Sequence, residues 1–450
     1  MKRYEAYDSF LDIWVDEIPA HWETHKMKYL FHERSEKGYP DEPLLVASQN
    51  MGVVPKNVYG NRTVEAQKDL HLLKLVRVGD FVISLRSFQG GLEYAYYQGI
   101  ISPAYTVLTP HEPITAGYFR YLAKSKLFIG LLTLCVTGIR EGQNIDYEKL
   151  RNHFLPVPPR EEQDQIVRYL DWQVSKINRL IAAKRKQIAL LKEHRTAKIN
   201  QAVTTGIHSD TQLAYTGYNW LPYAPANWKP VPAKALFRNV TELRRQDDSM
   251  LAATQKYGLI EQSEYMRLEG RRIVLANDNL DKWLHTEPND FIISLRSFQG
   301  GLEMCSKPGC VTWHYVVLRS QRDIFPDFYK WFFKSAAYIA ALQKTSDFIR
   351  DGQDLRFSNF VKVGLFNIPM DEQREIAEYL NREIPKYDVA IDNLEKQIEQ
   401  ITELRIRLIS DVVTGQVDVR GIEVPEFEKF EEVVPTDKDD KDVEERKDAE

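Results

Sequence analysis

A thirteen-residue segment occurs twice in this chain, at residues 81–93 and again at residues 291–303. The copies read FVISLRSFQGGLE and FIISLRSFQGGLE and differ only in Val82 against Ile292. A match this long does not arise by chance, so the chain contains two copies of one structural unit. We therefore expect its function to be carried out twice, at two places in the molecule.

The correspondence continues on both sides of this repeated loop. Matching residues stand 206 positions apart near the start of each copy and 210 apart from the loop onward, which indicates a four-residue insertion in the second copy. Residues 40–75 and 245–285 share almost no pattern, and neither do residues 94–135 and 304–345. The repeats of solenoids and propellers are only roughly 20–50 residues long. The sequence therefore predicts a duplicated domain with a shared frame and divergent inserts.

Length and composition limit the class of protein. A chain of 450 residues exceeds the size at which one hydrophobic core keeps growing, so at least two domains are expected. The three cysteines and ten histidines show no metal-ligand spacing, and no metal site is predicted. The chain has neither a signal-peptide pattern nor an apolar run long enough to span a membrane, which favours a cytoplasmic protein.

Charge is distributed unevenly along the chain. The net charge is −5, but residues 423–450 alone carry −8, and residues 1–422 carry +3. The acidic tail has few aromatic residues and is expected to be disordered. The mildly basic remainder permits DNA binding without proving it.

Each copy has a β-leaning part followed by a helical part. In the first copy, residues 44–47, 81–85 and 105–108 are strand-like and are bounded by Gly, Pro and Asn. Pro159 is then followed by about 45 residues without Pro or Gly, a pattern typical of a long helix. In the second copy Pro385 predicts a break between a short helix at about 371–383 and a long one at 386–413.

Apolar residues in both helical parts recur at alternating steps of three and four, which predicts a coiled-coil seam. We expect the two long helices to pair antiparallel and to hold the two domains at opposite ends of a rod. The alternative is that each helix packs only on its own domain. The predicted seam comprises Ile177, Ile181, Ile188, Leu191, Ile391, Leu394, Ile398 and Ile401.

No catalytic motif stands out in the sequence. The chain has neither a GxxxxGK[ST] phosphate loop nor a GxGxxG motif after a strand, so we predict no catalytic residues. The repeated loop carries hydrogen-bond donors instead. Arg and Gln can pair with guanine and adenine edges, and Ser can contact phosphates. A framework role, a phosphate or partner contact and direct base recognition remain open for this loop, and identity between the copies favours the first two.

The candidate DNA-binding residues fall into three groups. Those of the repeated loop are Arg86, Ser87, Gln89, Arg296, Ser297 and Gln299; those of a second repeated cluster are Arg140, Gln143, Arg350 and Gln353; those of the divergent inserts are Lys56, Arg62, Arg271 and Arg272. If two different base sequences are recognised, the divergent inserts should do it.

The order of these parts resembles the specificity subunit of type I restriction–modification systems. The resemblance rests on the openings IPAHWETHKMKYLF and YAPANWKPVPAKALF, the junctions LPVPPREEQDQIVRYLD and FNIPMDEQREIAEYLN, and the Thr-Gly pairs at Thr205 and Thr414. A Pro-x-x-Glu-Gln helix start, at Pro159 and again at Pro369, is its most specific element. The resemblance covers nearly the whole chain except the acidic tail.

This resemblance implies an α+β fold: two pseudo-symmetric, mixed α/β target-recognition domains separated by two long helices packed as an antiparallel coiled coil. The expected segments are a first target-recognition domain at 1–155, a central helical spacer at 156–208, a second target-recognition domain at 209–368, a C-terminal helical spacer at 369–421 and the acidic tail at 422–450.

The resemblance also implies a function and a set of partners. The two domains would bind the halves of a bipartite, asymmetric double-stranded DNA site, and the helices would recruit two methyltransferase subunits. Two restriction (motor-nuclease) subunits can join such complexes. The chain itself would bind no cofactor, because S-adenosylmethionine, ATP and Mg belong to the partner subunits. The alternative is a coiled-coil scaffold with two protein- or peptide-binding domains and no DNA specificity.

Overall fold

The computed structural model describes residues 2–59, 69–85, 87–137, 144–254, 257–270, 279–294, 297–345 and 355–430. Contacts divide the chain into unit 1, Met1–Arg185 with Glu395–Glu450, and unit 2, Lys186–Leu394. Each unit thus contains one mixed domain together with part of each helical region. The segment limits expected from the sequence stay a prediction.

The strands and helices of the first copy follow in chain order. They are β1 (Tyr7–Ser9), β2 (Glu17–Pro19), β3 (Glu23–Lys26), β4 (Phe31–Arg34), β5 (Leu45–Ser48), β6 (Gly52–Pro55), α1 (Lys56–Tyr59), β7 (Lys74–Val76), β8 (Phe81–Ile83), α2 (Ser87–Gly90), β9 (Glu93–Tyr94), β10 (Gly99–Ile101), β11 (Thr106–Pro110), α3 (Ala116–Leu122), α4 (Lys126–Leu134), β12 (Val136–Thr137), β13 (Asn144–Ile145), α5 (Tyr147–Leu150), β14 (Phe154–Val157) and α6 (Arg160–Thr205).

The second copy repeats this order with few changes. Its elements are β15 (Leu213–Tyr218), β16 (Leu221–Pro225), β17 (Lys229–Val231), β18 (Phe237–Val240), β19 (Leu251–Thr254), β20 (Gly258–Glu261), α7 (Gln262–Glu269), β21 (Leu284–Thr286), β22 (Phe291–Ile293), α8 (Ser297–Gly300), β23 (Glu303–Met304), β24 (Gly309–Val311), β25 (Val316–Ser320), α9 (Pro326–Phe332), α10 (Ala336–Gln343), α11 (Phe357–Phe360), β26 (Leu365–Asn367) and α12 (Met370–Val413).

The shared frame of the two copies is a four-stranded antiparallel sheet. Its strand order is β4-β11-β8-β9 in the first copy and β18-β25-β22-β23 in the second, so the repeat seen in the sequence is a repeat of topology. The strand-like runs predicted in the first copy fall on β5, β8 and β11. Aromatic residues fill the space between this sheet and helix α3, where the Phe81 and Phe119 rings are 4.8 Å apart.

The glutamate of each Pro-x-x-Glu-Gln motif ties a long helix to the start of its own domain. The carboxylate of Glu162 accepts a hydrogen bond from Trp22 Nε1 at 3.1 Å, and that of Glu372 accepts one from Trp228 Nε1 at 2.9 Å. All four residues were matched between the copies in the sequence. The contact explains why the tryptophan and the glutamate repeat together.

The glutamine of the same motif binds backbone. Gln163 Oε1 accepts from the N–H of Thr115, just before α3, at 2.9 Å, and Gln373 Oε1 accepts from the N–H of Phe325, just before α9, at 2.8 Å. Buried backbone groups need such partners. The motif therefore fixes the first turn of each long helix against its domain.

Helix α12 is continuous, so the break predicted at Pro385 is wrong. Proline removes one backbone donor and frees the carbonyl four residues earlier, that of Asn381. Pro385 and Asn381 are both exposed, so water can satisfy this carbonyl. Ile384 and Ile391 are buried and hold the helix on either side of the proline.

The two long helices pair antiparallel within each unit through an equivalent polar contact. In unit 1 Arg405 Nη1 donates to Asn178 Oδ1 at 2.6 Å, and in unit 2 Arg195 Nε donates to Asp388 Oδ1 at 2.7 Å. Both partners of the second pair stand 210 positions from a partner of the first. Polar contacts at a coiled-coil seam specify register, and this one does so twice.

Apolar residues line the rest of the helix pairing. The predicted seam residues Ile177, Ile181, Ile188, Leu191, Ile391, Leu394, Ile398 and Ile401 are all buried or half-buried. The α+β fold class with paired long helices is therefore confirmed.

Each long helix begins on its own domain and ends in the core of the other unit. The core of unit 1 includes Leu408 and Val412 from the end of α12. The core of unit 2 includes Ile199 and Val203 from the end of α6. Gly206 and Gly415, with φ of 80° and 76°, stop the two helices immediately afterwards.

Candidate nucleic-acid interface

The repeated loop begins with a buried serine in each copy. The hydroxyl of Ser87 accepts a hydrogen bond from the Ser84 N–H at 2.8 Å, and that of Ser297 accepts one from Ser294 N–H at 2.9 Å. Both serines are almost fully buried and start the short helices α2 and α8. A buried hydroxyl engaged in its own turn is poorly placed to bind phosphate. For these two residues the geometry favours the framework interpretation.

The second glycine of each Gly-Gly pair allows a close backbone approach. Gly91 has φ +83°, and a Cβ there would lie 2.1 Å from the carbonyl oxygen of Ala123. Gly301 has φ +79°, and its Cβ would lie 2.2 Å from that of Phe333. Only glycine fits both requirements. The loop is thus packed on the end of α3 in unit 1 and of α9 in unit 2.

An ion pair between a half-buried lysine and a buried glutamate closes each loop. Lys124 Nζ lies 2.8 Å from Glu93 Oε2 and also donates to the Gly90 carbonyl at 2.9 Å. In the second copy Lys334 Nζ lies 2.7 Å from Glu303 Oε2. Burial raises the pKa of Glu93 to about 7, although the Lys124 ammonium opposes that rise. The ion pairs anchor the end of the repeated loop to the helix on which it packs.

These two lysines are not among the site residues predicted from the sequence. Lys124 and Lys334 stand 210 residues apart, in register with the repeated loop. The match was available in the sequence, but it lies in stretches that otherwise share almost no pattern. Gln89, between the serine and the glycines, is exposed in the first copy and remains a candidate for DNA contact.

The elements that flank the two repeated clusters are neighbours in unit 1. Helix α2 of the repeated loop packs on α4 and touches β13. Strands β12 and β13 flank the second cluster, which contains Arg140 and Gln143. Thr133, on α4, donates to the Phe88 carbonyl at 3.4 Å. The fold therefore brings the repeated loop next to the strands that flank the second cluster.

The divergent inserts leave the frame at the same place in both copies. Hairpin β5–β6 leads into helix α1, and hairpin β19–β20 leads into helix α7. Lys56, at the start of α1, is half-buried. Arg267 on α7 is exposed and lies 3.8 Å from Glu264. Two inserts of unrelated sequence thus occupy one structural position.

Most of the remaining candidates cannot be placed. Arg62, Arg86, Arg140, Gln143, Arg271, Arg272, Arg296, Arg350 and Gln353 lie outside the described residues, as does the side chain of Gln299. They stay predictions.

The described residues contain neither a candidate metal site nor a candidate membrane-spanning helix. No group of three or more His, Cys, Asp or Glu side chains there could hold a metal ion. No helix within the same ranges is long and apolar enough to cross a membrane.

Comparison with known proteins shows what the whole chain is similar to. No family model matches the chain. A putative type I restriction enzyme specificity subunit, MjaX, from Methanocaldococcus jannaschii is 20% identical over 440 residues, covering 92% of this chain and 97% of that protein.

A solved structure gives the same result for the fold. A chain from a structure of the assembly and conformational transition of the type I R-M system is 14% identical, covers 89% of this chain and 99% of its own length, and superposes with a TM-score of 0.61. The HsdS subunit from Thermoanaerobacter tengcongensis is 13% identical and covers 89% of this chain and 98% of its own, with a TM-score of 0.46. The resemblance indicated by the repeated motifs is therefore confirmed: over nearly its whole length the chain is similar to the specificity subunits of type I restriction–modification systems.

Proposed function

We propose that this chain is the non-catalytic, DNA-reading subunit of a type I restriction–modification complex. Each of its two domains binds one half of a bipartite, asymmetric site in double-stranded DNA. The observation that carries this proposal is the placement of two unrelated inserts at one position of a duplicated frame. Two equivalent frames with different inserts suit the recognition of two different half-sites.

The division of labour within each domain follows from the same geometry. The repeated loop, with its buried serine, packed glycine and ion pair, is the frame. Phosphate contacts near it would position the DNA equally in both halves, while contacts from the inserts would specify bases. The arginines and glutamines of the repeated clusters therefore belong to the first role, and Lys56, Arg62, Arg271 and Arg272 belong to the second. Ser87 and Ser297 belong to the frame.

The long helices recruit the partner subunits in this proposal. Apolar side chains remain exposed along them, Leu180 and Leu404 in unit 1 and Leu190 and Val389 in unit 2. Such side chains suit a helical partner surface. Two methyltransferase subunits that use S-adenosylmethionine would dock here, and two motor-nuclease subunits that use ATP and Mg could join them in the cytoplasm.

A methylation map tests the proposal. Adenine methylation is mapped across the genome with and without this gene, and loss of methylation at one bipartite motif is expected. An unchanged map would contradict the proposal. Binding of the purified chain to duplex DNA should also fall steeply with salt, because phosphate contacts release counterions. The scaffold alternative predicts no such binding.

A further inference from the structure

The end of the described chain lies along one face of helix α6 in unit 1. Ile422 and Val424 pack against the core, and Gln165 Nε2 donates to the Ile422 carbonyl at 2.7 Å. Farther along, the N–H of Phe430 donates to Ser175 Oγ at 3.2 Å. Residues 422–430, named here the C-terminal strap, thus follow the helix for about three turns.

Arg179 holds the far end of the strap. Its Nη2 donates to the Glu428 carbonyl at 2.7 Å, and its guanidinium lies 6.0 Å from the centre of the Phe430 ring. Lys429 Nζ lies 3.8 Å from Asp171 Oδ1. These contacts are few and near the surface, where an ion pair contributes only about 0–1 kcal/mol. A partner with a larger interface could displace the far half of the strap.

The equivalent face of helix α12 in unit 2 is open beyond Glu375, whose carboxylate lies 3.2 Å from His208 Nε2. With the offset of 210, Gln165, Ser175 and Arg179 correspond to Glu375, Pro385 and Val389. All three are exposed there, Val389 to 59%, whereas Ser175 is 5% exposed beneath the strap. The chain that follows α6 turns into strand β15 at Leu213 instead of lying along the helix.

We propose that this helix face is a docking site for the methyltransferase subunit, open in unit 2 and closed in unit 1 by the C-terminal strap. The inference rests on the proposed function, because a duplicated subunit that recruits two copies of one partner presents the same face to each. The two methyltransferase subunits then bind with unequal affinity, and the second one to bind must displace the strap. The strap acts as an internal competitor for the partner.

The chemistry of the partner segment follows from the face it would cover. The strap presents Phe430 together with three glutamates, and Lys429 is its one basic residue. On the open face the apolar Val389 lies on the same helix as Arg382 and Lys386, which are 67% and 64% exposed. Both cations also contact the half-buried carboxylate of Glu383, so the pair carries one positive charge in excess. An acidic methyltransferase segment with an apolar or aromatic anchor complements this face.

Two shortened chains separate the strap from the acidic tail beyond it. A chain ending at Pro425 keeps Ile422 and Val424 in the core and loses the far half of the strap, while a chain ending at Phe430 keeps the strap and loses the tail. The purified methyltransferase subunit encoded with this gene is titrated into each, and both stepwise dissociation constants are measured by native mass spectrometry. Thermal unfolding confirms that both chains are folded.

For the unshortened chain and the chain ending at Phe430, we expect the second copy to bind roughly tenfold more weakly than the first. In the chain ending at Pro425 the two steps should become similar through a tighter second step. Val389→Glu, which places a carboxylate against the acidic partner segment and removes the apolar contact, should weaken the first step.

Three results would overturn the inference. Equal steps that neither shortening nor Val389→Glu changes would reject the docking face while leaving the proposed function intact. Tightening already in the chain ending at Phe430 would assign the competition to the acidic tail. No binding of the methyltransferase to any of the chains would reject the proposed function as well.

Discussion

The carboxylate of Asp80 accepts a hydrogen bond from Arg34 Nε at 2.9 Å, and both side chains are buried. The second copy has the same buried aspartate, Asp290, but its arginine comes from another strand. Arg319 on β25 donates to Asp290 from Nε at 2.8 Å and from Nη2 at 2.7 Å. The position equivalent to Arg34 is Val240, and the position equivalent to Arg319 is Thr109. The two copies therefore satisfy one buried charge from two neighbouring strands.

This exchange predicts a compensating pair of substitutions. Arg34→Val leaves the Asp80 carboxylate buried without its cation and should lower the free energy of unfolding by about 3 kcal/mol. Adding Thr109→Arg recreates the second copy's arrangement and should restore at least half of the loss. Urea unfolding measures both effects. The matched control is Arg319→Thr with and without Val240→Arg, and a double variant no more stable than Arg34→Val would contradict the equivalence.

The close approach at Gly91 predicts a strong effect of one methyl group. Gly91→Ala combines a positive φ with a Cβ 2.1 Å from a carbonyl oxygen, so the loop must move and the free energy of unfolding should fall by more than about 2 kcal/mol. Gly79→Ala is the control, because Gly79 has φ +94° but open space around its Cβ. Its cost should be about 1 kcal/mol, that of backbone strain alone. Similar costs for the two variants would mean that the packing is unimportant.

The same substitution tests whether the repeated loop only supports the domain or also selects bases. Gly91→Ala should weaken binding to DNA carrying only the first half-site, and Gly301→Ala should weaken binding to the second, without changing which bases are preferred. Binding to DNA libraries randomised in one half-site gives the preferences. An altered base preference would assign recognition to the repeated loop.

The buried Glu93 predicts a pH dependence. Its pKa is raised in the folded state to about 7, so the folded chain binds its proton more tightly than the unfolded chain does. The stability contributed by the protonated carboxyl is present at low pH and is lost as the pH rises through about 7. Glu93→Gln removes this titration, so the variant should gain stability relative to the natural chain between pH 5.5 and 8, by about 2 kcal/mol. A constant difference across this range would contradict the shifted pKa.

The helix pairing predicts an effect on the spacing of the DNA site. Adding or removing four residues within 178–195 changes the length of α6 by about 6 Å. The recognised half-sites should stay the same while the number of unread bases between them changes, as a methylation map would show. Altered half-sites would argue against a spacer role for the helices.

The sequence predicted well where the two copies agree. The repeated loop, the Pro-x-x-Glu-Gln motifs and the heptad seam each led to the correct element, because duplication shows the same constraint twice. Register across the seam was harder, since the pairing of Arg405 with Asn178 joins positions 227 residues apart. The equivalent pair, Arg195 with Asp388, shows the same register a second time.

The predicted helix break at Pro385 was wrong, because the effect of a proline depends on the residues around it. Proline breaks most helices, but the exposed position of Pro385 and the buried isoleucines beside it keep α12 intact. For Ser87 the sequence left a framework role and a phosphate contact open, and its burial in its own turn favours the framework role. Burial of a single side chain cannot be deduced from local pattern alone.

Each long helix contributes residues to both units, and this has a consequence for synthesis on the ribosome. Unit 2 is one continuous stretch, Lys186–Leu394, whereas the core of unit 1 needs Leu408 and Val412 near the other end of the chain. Domains usually fold in the order in which they emerge. Here the domain that is translated first must wait with part of its apolar surface uncovered, and the domain that is translated second can complete its core earlier.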